Sequence, residues 1–225
     1  MSKADEVLTI DIVSDVVCPW CYVGEKRLEA ALADEAGPVS VRWRPYQLDP
    51  TIPQGGLDRT EYMTKKFGDL GRVKSIHENL TRVGAELGLP FAFDKIKRSP
   101  NTLDAHRLLR WAGSAGVQAE VADRLFKAFF VEGCDVGDPS VLVEIASECG
   151  LDGKLVEKLL AEGADVDLVR EEIGQAQAMG VSGVPFFIFG GRVGVPGAQD
   201  PATLRQAMAQ ARREMAETAE DASIS

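Results

Sequence analysis

The stretch SDVVCPWCYVG, residues 14–24, joins a predicted strand to a predicted helix and contains two cysteines, Cys18 and Cys21. Residues three positions apart on a helix share one face, so the two sulfurs can meet. A cysteine at the amino end of a helix faces unpaired N–H groups and the positive end of the helix dipole, which stabilise its thiolate. The spacing therefore predicts that Cys18 attacks a substrate disulfide and that the less exposed Cys21 resolves the mixed disulfide.

The two residues between the cysteines suit this position. Pro19 fits the first turn of a helix, because the N–H that proline lacks would have no partner there. Trp20 is expected to be exposed, either as a substrate contact or as a shield over the dithiol.

A zinc site is one alternative for a Cys-x-x-Cys pair, and a purely structural pair is another. Zinc sites of this kind usually need two such pairs. The remaining cysteines, Cys134 and Cys149, do not form a second pair, and the chain has two histidines, His77 and His106. We therefore predict no metal site.

The residues around the dithiol predict a strand–helix–strand unit. VLTIDIV (7–13) alternates apolar and polar residues, and VSVRWRPYQL (39–48) is typical of a second strand, in which Pro45 indicates an edge or a bend. The segment between them favours a helix that ends at Gly37-Pro38. Two strands joined by a helix imply a parallel pair.

The rest of the chain divides into a helical block and a final α/β segment. Helical periodicity predicts helices at 59–87, 101–115, 118–132, 139–149, 152–162 and 166–179. Runs at 186–189 and 192–195 predict a hairpin, and Asp200-Pro201 opens a last helix. We predict a discontinuous α/β domain at 1–57 and 180–217, a helical insertion domain at 58–179 and a frayed tail at 218–225.

Charge and hydropathy limit the partners. The 225 residues include 25 basic and 35 acidic ones, a formal net charge of −10. This balance argues against nucleic acid or an anionic membrane as a partner, because lysine and arginine hold phosphate-rich surfaces. The N-terminal residues lack a secretory signal pattern, and no apolar run reaches the roughly 20 residues of a membrane span. We therefore expect a cytoplasmic protein, in a compartment where thiols stay reduced.

Val184-Pro185 directly precedes the strand predicted at 186–189. A proline is tolerated at the first residue of a strand, which is one interpretation of this pair. A cis bond here would leave the Val184 backbone free to pair with an extended substrate chain. The residues alone leave both interpretations open.

Five segments together resemble the DsbA-like thioredoxin-fold family, and within it the FrnE-type branch of cytoplasmic dithiol–disulfide oxidoreductases. The resemblance covers residues 7–212, and its segments are SDVVCPWCYVG, NTLDAHRLLRWA, LFKAFFVEGCDVGD, GVPFFIFGG and VPGAQ. It implies a thioredoxin-like α/β fold with an inserted all-helical domain, a redox pair at Cys18 and Cys21, and a cis-proline at Pro185 that faces them. Some FrnE-like proteins carry a further C-terminal cysteine pair, which this chain lacks after Cys149.

Three more side chains are candidates for supporting the dithiol. Asp15 precedes it and is expected to influence the cysteines or their protons, unless it is a solvated loop acid. Asn101, or its neighbour Thr102, is typical of a helix N-cap. One expectation is that His106 points toward the dithiol. The alternative is a histidine that lies at the surface or farther from the reacting sulfurs.

The sequence does not assign a role to the remaining cysteines, and a Cys134–Cys149 disulfide is possible although nothing in the spacing favours it. Cys149 lies on the apolar stripe of its helix and is expected to be buried as a small hydrophobic residue. Cys134, in a loop-like stretch, could be exposed, and His77, in a charged helix, is expected to be exposed.

We therefore predict a thiol–disulfide oxidoreductase or isomerase that exchanges disulfides with protein or small-molecule substrates. Pro19, Trp20, Val184 and Pro185 are the predicted substrate contacts. No prosthetic group is required, and glutathione or another thiol would be the electron partner. A monomer and a homodimer are both compatible with the sequence.

Two other functions are alternatives. One is a glutathione-dependent isomerase or transferase of the kappa-class or 2-hydroxychromene-2-carboxylate isomerase type; such enzymes typically have serine where this chain has Cys18 and lack the second cysteine. The other is a non-catalytic peptide-binding chaperone that uses the groove between the two domains.

The residue at position 20 predicts the redox potential of the couple. Periplasmic DsbA has histidine between its cysteines, and tryptophan cannot supply the positive charge that helps to stabilise a thiolate. We expect a couple less oxidising than the roughly −120 mV of DsbA. Equilibration of the dithiol with a glutathione redox buffer measures the potential, and a value as high as that of DsbA would contradict the prediction.

Overall fold

The computed structural model describes residues 6–33 and 35–224, with residues 219–224 described in backbone only. The strands are β1 (Leu8–Ser14), β2 (Val39–Pro45), β3 (Leu57–Asp58), β4 (Arg98–Ser99), β5 (Phe186–Phe189) and β6 (Val193–Pro196). The α-helices are α1 (Pro19–Leu32), α2 (Arg59–Phe67), α3 (Leu70–Glu86), α4 (Leu103–Ala115), α5 (Gln118–Lys127), α6 (Pro139–Glu148), α7 (Gly153–Ala161), α8 (Val166–Ala178) and α9 (Pro201–Ile224). A 3₁₀ turn (Phe93–Lys95) and a π-helical turn (Ala128–Glu132) complete these elements.

Four strands form one mixed sheet in the order β2-β1-β5-β6. β1 and β2 run parallel, with Leu8 opposite Val39, so the predicted strand–helix–strand unit is confirmed. β5 lies antiparallel to β1, and β6 lies antiparallel to β5 as the predicted hairpin. β2 is an edge strand that ends at Pro45, shorter than the run predicted at 39–48.

The sheet holds the core of the α/β part. Alternate residues of β1 point to the same face, so Leu8, Ile10 and Ile12 lie together. They are fully buried with Phe187 and Phe189 of β5, and α1 and α9 pack against this group. The alternation in the sequence therefore identifies the face that the sheet buries.

The seven helices α2–α8 occupy the region that was predicted to be a helical insertion. The helix predicted at 59–87 is two helices, because Gly68 at the end of α2 has a φ of 99° and a left-handed residue ends a right-handed helix. The Asp69 side chain then accepts a hydrogen bond from the Arg72 N–H and caps α3. The helix predicted at 118–132 passes into the π-helical turn at Ala128.

The strands β3 and β4 were not predicted. They pair antiparallel over two residues each, which is too short for a periodic pattern, and they join the start of α2 to the segment before α4.

The last helix, α9, continues to Ile224 and so includes most of the tail that was predicted to be frayed. The side chains from position 219 onward lie outside the described residues. Within the described part of the chain, no helix has both the length and the apolar character that crossing a membrane requires.

A second apolar core joins α1 to the helical region. Tyr22 of α1 stacks on Phe126 of α5 with ring centroids 5.0 Å apart, and it meets Phe91 edge-on at 6.0 Å. Cys18 and Cys21 belong to the same buried cluster. The dithiol therefore lies where the first helix of the α/β part packs into the helical region.

A buried cation holds the helical region together. Arg107 of α4 is 1% exposed, and its guanidinium donates to the carbonyls of Leu159 and Ala164 at 2.6 Å each. It also pairs with Asp104 at 2.6 Å. Ala164 lies in the turn between α7 and α8, and the Leu159 carbonyl of α7 also accepts the Ala164 N–H at 3.1 Å. Arg107 therefore fixes the end of α7 and the turn after it to α4.

We expect Arg107→Met to lower the free energy of unfolding by about 3–5 kcal/mol, because it leaves the buried Asp104 carboxylate unpaired and removes the Arg107 donors to the Leu159 and Ala164 carbonyls. Urea unfolding measures the change. Arg170→Met is the control: Arg170 is 63% exposed beside Asp167, and its loss should cost within about 0.5 kcal/mol. Equal losses in the two variants would contradict the role assigned to Arg107.

Candidate dithiol site

Cys18 caps the amino end of α1. Its backbone is extended, with a φ of −92° and a ψ of 110°, and Pro19 is the first helical residue. The N–H groups of Cys21 and Tyr22 donate to the Cys18 carbonyl at 3.0 and 3.3 Å. Both cysteines are free thiols, Cys18 4% exposed and Cys21 1% exposed. The order of exposure that the sequence predicts is therefore present, although neither sulfur lies in the open.

The turn before β5 lies against this helix end. The peptide bond between Val184 and Pro185 is cis. The Cys18 Sγ lies 3.5 Å from the Val184 carbonyl oxygen and is oriented to donate to it. The fold thus brings together two segments that are 166 positions apart in the chain.

Gly24 allows α1 to approach the proline. A Cβ atom at this position would lie 3.0 Å from Cγ of Pro185 and 3.1 Å from Cζ of Phe187. Contacts this short require a neighbour to move, and both neighbours are buried. A glycine one turn after the dithiol therefore keeps the helix close to the turn.

The buried position of Cys21 changes its acidity. Burial raises the pKa of the Cys21 thiol well above its ordinary value, and its hydrogen bond and charge interaction with Cys18 raise it further. Contacts with the Ser14 side chain and the Asp15 backbone act in the opposite direction but are weaker. Cys21 therefore holds its proton at neutral pH, as a resolving thiol does before its partner reacts.

Asp15 is buried beside the dithiol, so its interpretation as a solvated loop acid is wrong. Its backbone carbonyl accepts the Cys18 N–H at 2.9 Å, and its Oδ2 accepts the Leu48 N–H at 2.8 Å. Its Oδ1 is buried without a hydrogen-bond partner among the described residues. Asp15 therefore fixes the loop that presents Cys18, while a role in proton transfer stays a prediction.

His106 is buried as well, so its surface interpretation is wrong. Its Nε2 lies 2.8 Å from the Tyr46 carbonyl and 3.4 Å from Asp15 Oδ1. In the described part of the chain, the polar contacts of its ring are with these two residues. His106 supports Asp15 and the end of β2.

Asn101 joins α4 to the segment after β2. Its Oδ1 accepts the N–H of Leu103, the first residue of α4, at 2.9 Å, while the N-cap position is Thr102, whose side chain makes no capping hydrogen bond. The Asn101 Oδ1 also accepts from Gln47 at 3.2 Å, and Nδ2 donates to the Ile52 carbonyl at 2.6 Å. Asn101 therefore holds a wall of the site without being placed to react.

A cavity of about 420 Å³ opens beside the dithiol. Cys18, Pro19, Trp20 and Val184 line one end of it, and Trp20 is 37% exposed, as expected. The other walls come from α2, α3 and the 3₁₀ turn at Phe93–Lys95. Besides Cys21, the sequence assigns five residues to the dithiol and its substrate contacts. Four of them line this cavity, and the fifth, Pro185, follows Val184 in the chain and is not one of the lining residues.

Three cavity residues were missed by the sequence analysis. Arg59 and Tyr62 of α2 and His77 of α3 face the cavity. His77 is half-buried and stacks on Phe93 with ring centroids 4.2 Å apart, so the expectation of an exposed histidine is wrong. The signal that could have located the turn between α2 and α3 is Gly68-Asp69, a helix-ending glycine followed by an N-cap residue. Which side chains then face the cavity depends on how the two helices pack.

The other two cysteines lie away from the cavity. Cys149 ends α6 and is half-buried rather than buried, which corrects its assignment as a core residue. Cys134 is half-buried too. Burial raises the pKa of both thiols, with nearby glutamates adding to the effect.

One acidic cluster lies outside the dithiol site, between α1 and α5. Oxygens of Glu25, Glu29 and Asp123 lie within 4.8 Å of one another. The Lys26 ammonium already binds Glu29 at 2.9 Å and Asp123 at 2.7 Å. The cluster is therefore an ion-pair network between α1 and α5, and the cation that it needs is supplied by the chain.

The sheet order, the dithiol at the start of the first helix and the helical insertion define a thioredoxin-like fold of the DsbA type. A family model for the DSBA-like thioredoxin domain matches residues 9–209. The chain therefore belongs to the DsbA-like thioredoxin-domain family, and the family resemblance and fold class predicted from the sequence are confirmed. The FrnE-type branch stays a prediction.

Individual relatives agree with this assignment. The chain is 30% identical over 190 residues to the uncharacterized protein YwbO of Bacillus subtilis, covering 84% of this chain and 90% of that one. It is similar to the structure of the probable DsbA oxidoreductase SCO1869 of Streptomyces coelicolor, with a TM-score of 0.83, 34% identity and coverage of 91% and 89%. The cytosolic disulfide reductase DsbM of Pseudomonas aeruginosa shares the fold at a TM-score of 0.60 and 21% identity, with coverage of 94% and 98%.

We expect iodoacetamide to modify Cys21 in the folded protein more slowly at pH 7 than in the unfolded chain, where a cysteine has a pKa of about 8.5. The raised pKa leaves less thiolate at neutral pH, so the rate should keep climbing with pH above that value. Peptide mass spectrometry measures the rate at each cysteine, with guanidinium-unfolded protein as control. A slow rate whose pH midpoint is that of a free cysteine would mean that burial blocks access without raising the pKa.

Proposed function

We propose that this protein is a thiol–disulfide oxidoreductase whose reactive groups are Cys18 and Cys21. The observation that carries the proposal is the position of the Cys18 thiol, at the amino end of α1 and 3.5 Å from the Val184 carbonyl. Cys18 is the N-cap of α1, where the first N–H groups of the helix have no partner within it, and burial keeps the proton on Cys21. Cys18 is thereby placed to attack the substrate disulfide, and Cys21 stays protonated until the mixed disulfide has formed.

The reaction that we propose is two successive thiol–disulfide exchanges. The Cys18 thiolate attacks one sulfur of the substrate disulfide, forms a mixed disulfide and releases the other substrate sulfur as a thiolate. Cys21 then loses its proton and attacks Cys18 Sγ, which forms the Cys18–Cys21 disulfide and releases the second substrate thiolate. Two electrons pass from the dithiol to the substrate, and a small thiol such as glutathione, or another dithiol protein, returns them.

The substrate contacts that we propose surround Cys18. In the dithiol form the Val184 carbonyl is engaged by the Cys18 thiol. Once Cys18 has given up its proton, that carbonyl is free to accept an N–H from an extended substrate chain. Trp20 offers an exposed aromatic surface at the same place, and Pro19 and Pro185 hold the backbone on either side.

We place this activity in the cytoplasm. Support comes from the shared fold with a protein described as a cytosolic disulfide reductase. A reducing pool of thiols would favour electron flow from the protein to its substrates.

We expect Cys18→Ser to reduce the rate of insulin disulfide reduction to that of the reaction without enzyme, because serine cannot form the mixed disulfide. Cys21→Ser should form the mixed disulfide but fail to resolve it, and mass spectrometry should detect the trapped adduct. Cys149→Ser, in which a half-buried thiol outside the cavity is changed, is the matched control and should keep wild-type activity.

Three outcomes would redirect the proposal. Undiminished activity in Cys18→Ser would reject it. Glutathione-dependent activity that survives the loss of Cys21 would favour the isomerase or transferase alternative, against which the intact cysteine pair argues. Suppression of aggregation that survives the loss of both cysteines would favour the chaperone alternative.

A further inference from the structure

We propose that the cavity beside Cys18 is a binding site for a small apolar carboxylate, an organic anion whose carboxylate pairs with Arg59 and whose hydrophobic body lies between α2 and α3. That such an anion can also be a substrate rests on the proposed function. That it binds in the cavity does not depend on redox chemistry.

The size and lining of the cavity suit a small molecule. Its volume of about 420 Å³ falls within the range of roughly 300–1,000 Å³ that small-molecule sites occupy. Most of its surface is apolar, and the side chains that provide that surface away from Cys18 are Met63, Phe67, Ile76, Leu80 and Phe93. An apolar lining of this kind binds the aromatic or aliphatic part of a small molecule better than it binds a strongly polar peptide.

Arg59 is a half-buried cation in this wall without a carboxylate partner among the described residues. Its Nε is buried without a hydrogen-bond partner, and its Nη1 has a long contact of 3.4 Å with Ser99 Oγ. Among the described residues, no carboxylate lies within 4.0 Å of its guanidinium. Burial lowers the pKa of Arg59 to about 10, so the group is still a cation at neutral pH. The guanidinium lies over the Phe129 ring at 5.9 Å from the centroid, but a half-buried cation whose Nε has no hydrogen-bond partner is still unfavourable, and a carboxylate matches its planar donors.

The acidic groups that line the cavity do not supply this partner. Asp49 accepts hydrogen bonds from Tyr62 at 3.0 Å and from the Thr51 hydroxyl at 2.6 Å. Lys66 donates to the Tyr62 hydroxyl at 2.8 Å, which adds a second positive charge on the α2 side. Asp15 lies at the Cys18 end, where its Oδ2 is held by a backbone N–H. The cavity therefore has a cationic wall on α2 and an acidic residue near the reactive sulfur.

His77 provides a second polar group toward the ligand. Its Nε2 is buried without a partner in the described residues, and its ring lies flat on Phe93. Burial, together with the charge of Arg59, lowers the pKa of His77, so the imidazole is neutral at pH 7. A neutral ring can donate one hydrogen bond to a carboxylate without adding charge. Arg59 and His77 together leave two unsatisfied polar groups in an apolar cavity, which is the pattern of a small-molecule site.

The first experiment measures binding by calorimetry with 2-naphthoate as the anion and 2-naphthamide as its neutral counterpart. We expect Arg59→Gln to weaken naphthoate binding by about tenfold or more and to leave naphthamide binding unchanged. Arg82→Gln on α3, an exposed change of the same charge outside the cavity, is the control and should bind as wild type. Naphthoate binding that Arg59→Gln does not weaken would overturn the proposal.

A second measurement needs no variant and so holds even if Arg59→Gln fails to fold. In the wild-type protein, naphthoate should protect Cys18 from iodoacetamide, because both occupy the same cavity, and naphthamide should protect it less. Absence of protection at saturating naphthoate would overturn the placement of the site.

The claim about substrate is tested with two aromatic disulfides. Cys18 attacks 5,5′-dithiobis(2-nitrobenzoate), which carries carboxylates, to form a mixed disulfide and release thionitrobenzoate, and it reacts in the same way with the neutral 4,4′-dithiodipyridine. Arg59→Gln should slow the first reaction and not the second, and equal slowing of both would overturn the claim. If anion binding requires Arg59 but the Cys18→Ser variant keeps full activity, the binding site is supported and the proposed function is rejected. Failure of the site and failure of the proposed function are therefore distinguishable.

Discussion

The Cys18 thiol meets the Val184 carbonyl at 3.5 Å, and this contact joins the amino-terminal helix to a turn near the other end of the chain. It requires β1 and β5 to lie side by side, since α1 follows β1 and the turn precedes β5. It also requires that α1 carry no side chain at Gly24, where a Cβ atom would meet Pro185. The sheet order and one glycine thus set the geometry in which the dithiol can act.

The helical region contributes the remaining walls of the site. α1 buries one face against the sheet through Leu28 and another against the aromatic core through Tyr22. With both faces packed, the helix end cannot shift without breaking one core, which holds Cys18 in place. The helices α2 and α3 then fold over that end and enclose a cavity that Cys18 lines at one end and the unpaired Arg59 lines on another wall. The helical region therefore forms part of the site.

Local patterns predicted most of the elements but not how they meet. The alternation in β1, the caps at Asp138 and Asp200 and the hairpin glycines are signals carried by neighbouring residues, and the corresponding elements are present. The break at Gly68 has a local signal, a glycine that can end a helix followed by Asp69 as an N-cap, but the sequence analysis treated the segment as one helix. The burial of Asp15 and His106 was left open for a different reason, since it results from contacts with Leu48 and Tyr46.

The sequence by itself determined the dithiol, its place at a helix start and the family to which the chain belongs, because each depends on residues close in the chain or on short segments in a fixed order. The tertiary structure alone decided what surrounds the dithiol. Arg59, His77 and the Val184 carbonyl come from three distant segments, and their approach to Cys18 depends on the crossing of packed helices and on strand order. Burial and pairing are properties of that packing, so no local pattern could reveal that Arg59 lacks a counter-ion or that Cys21 holds its proton.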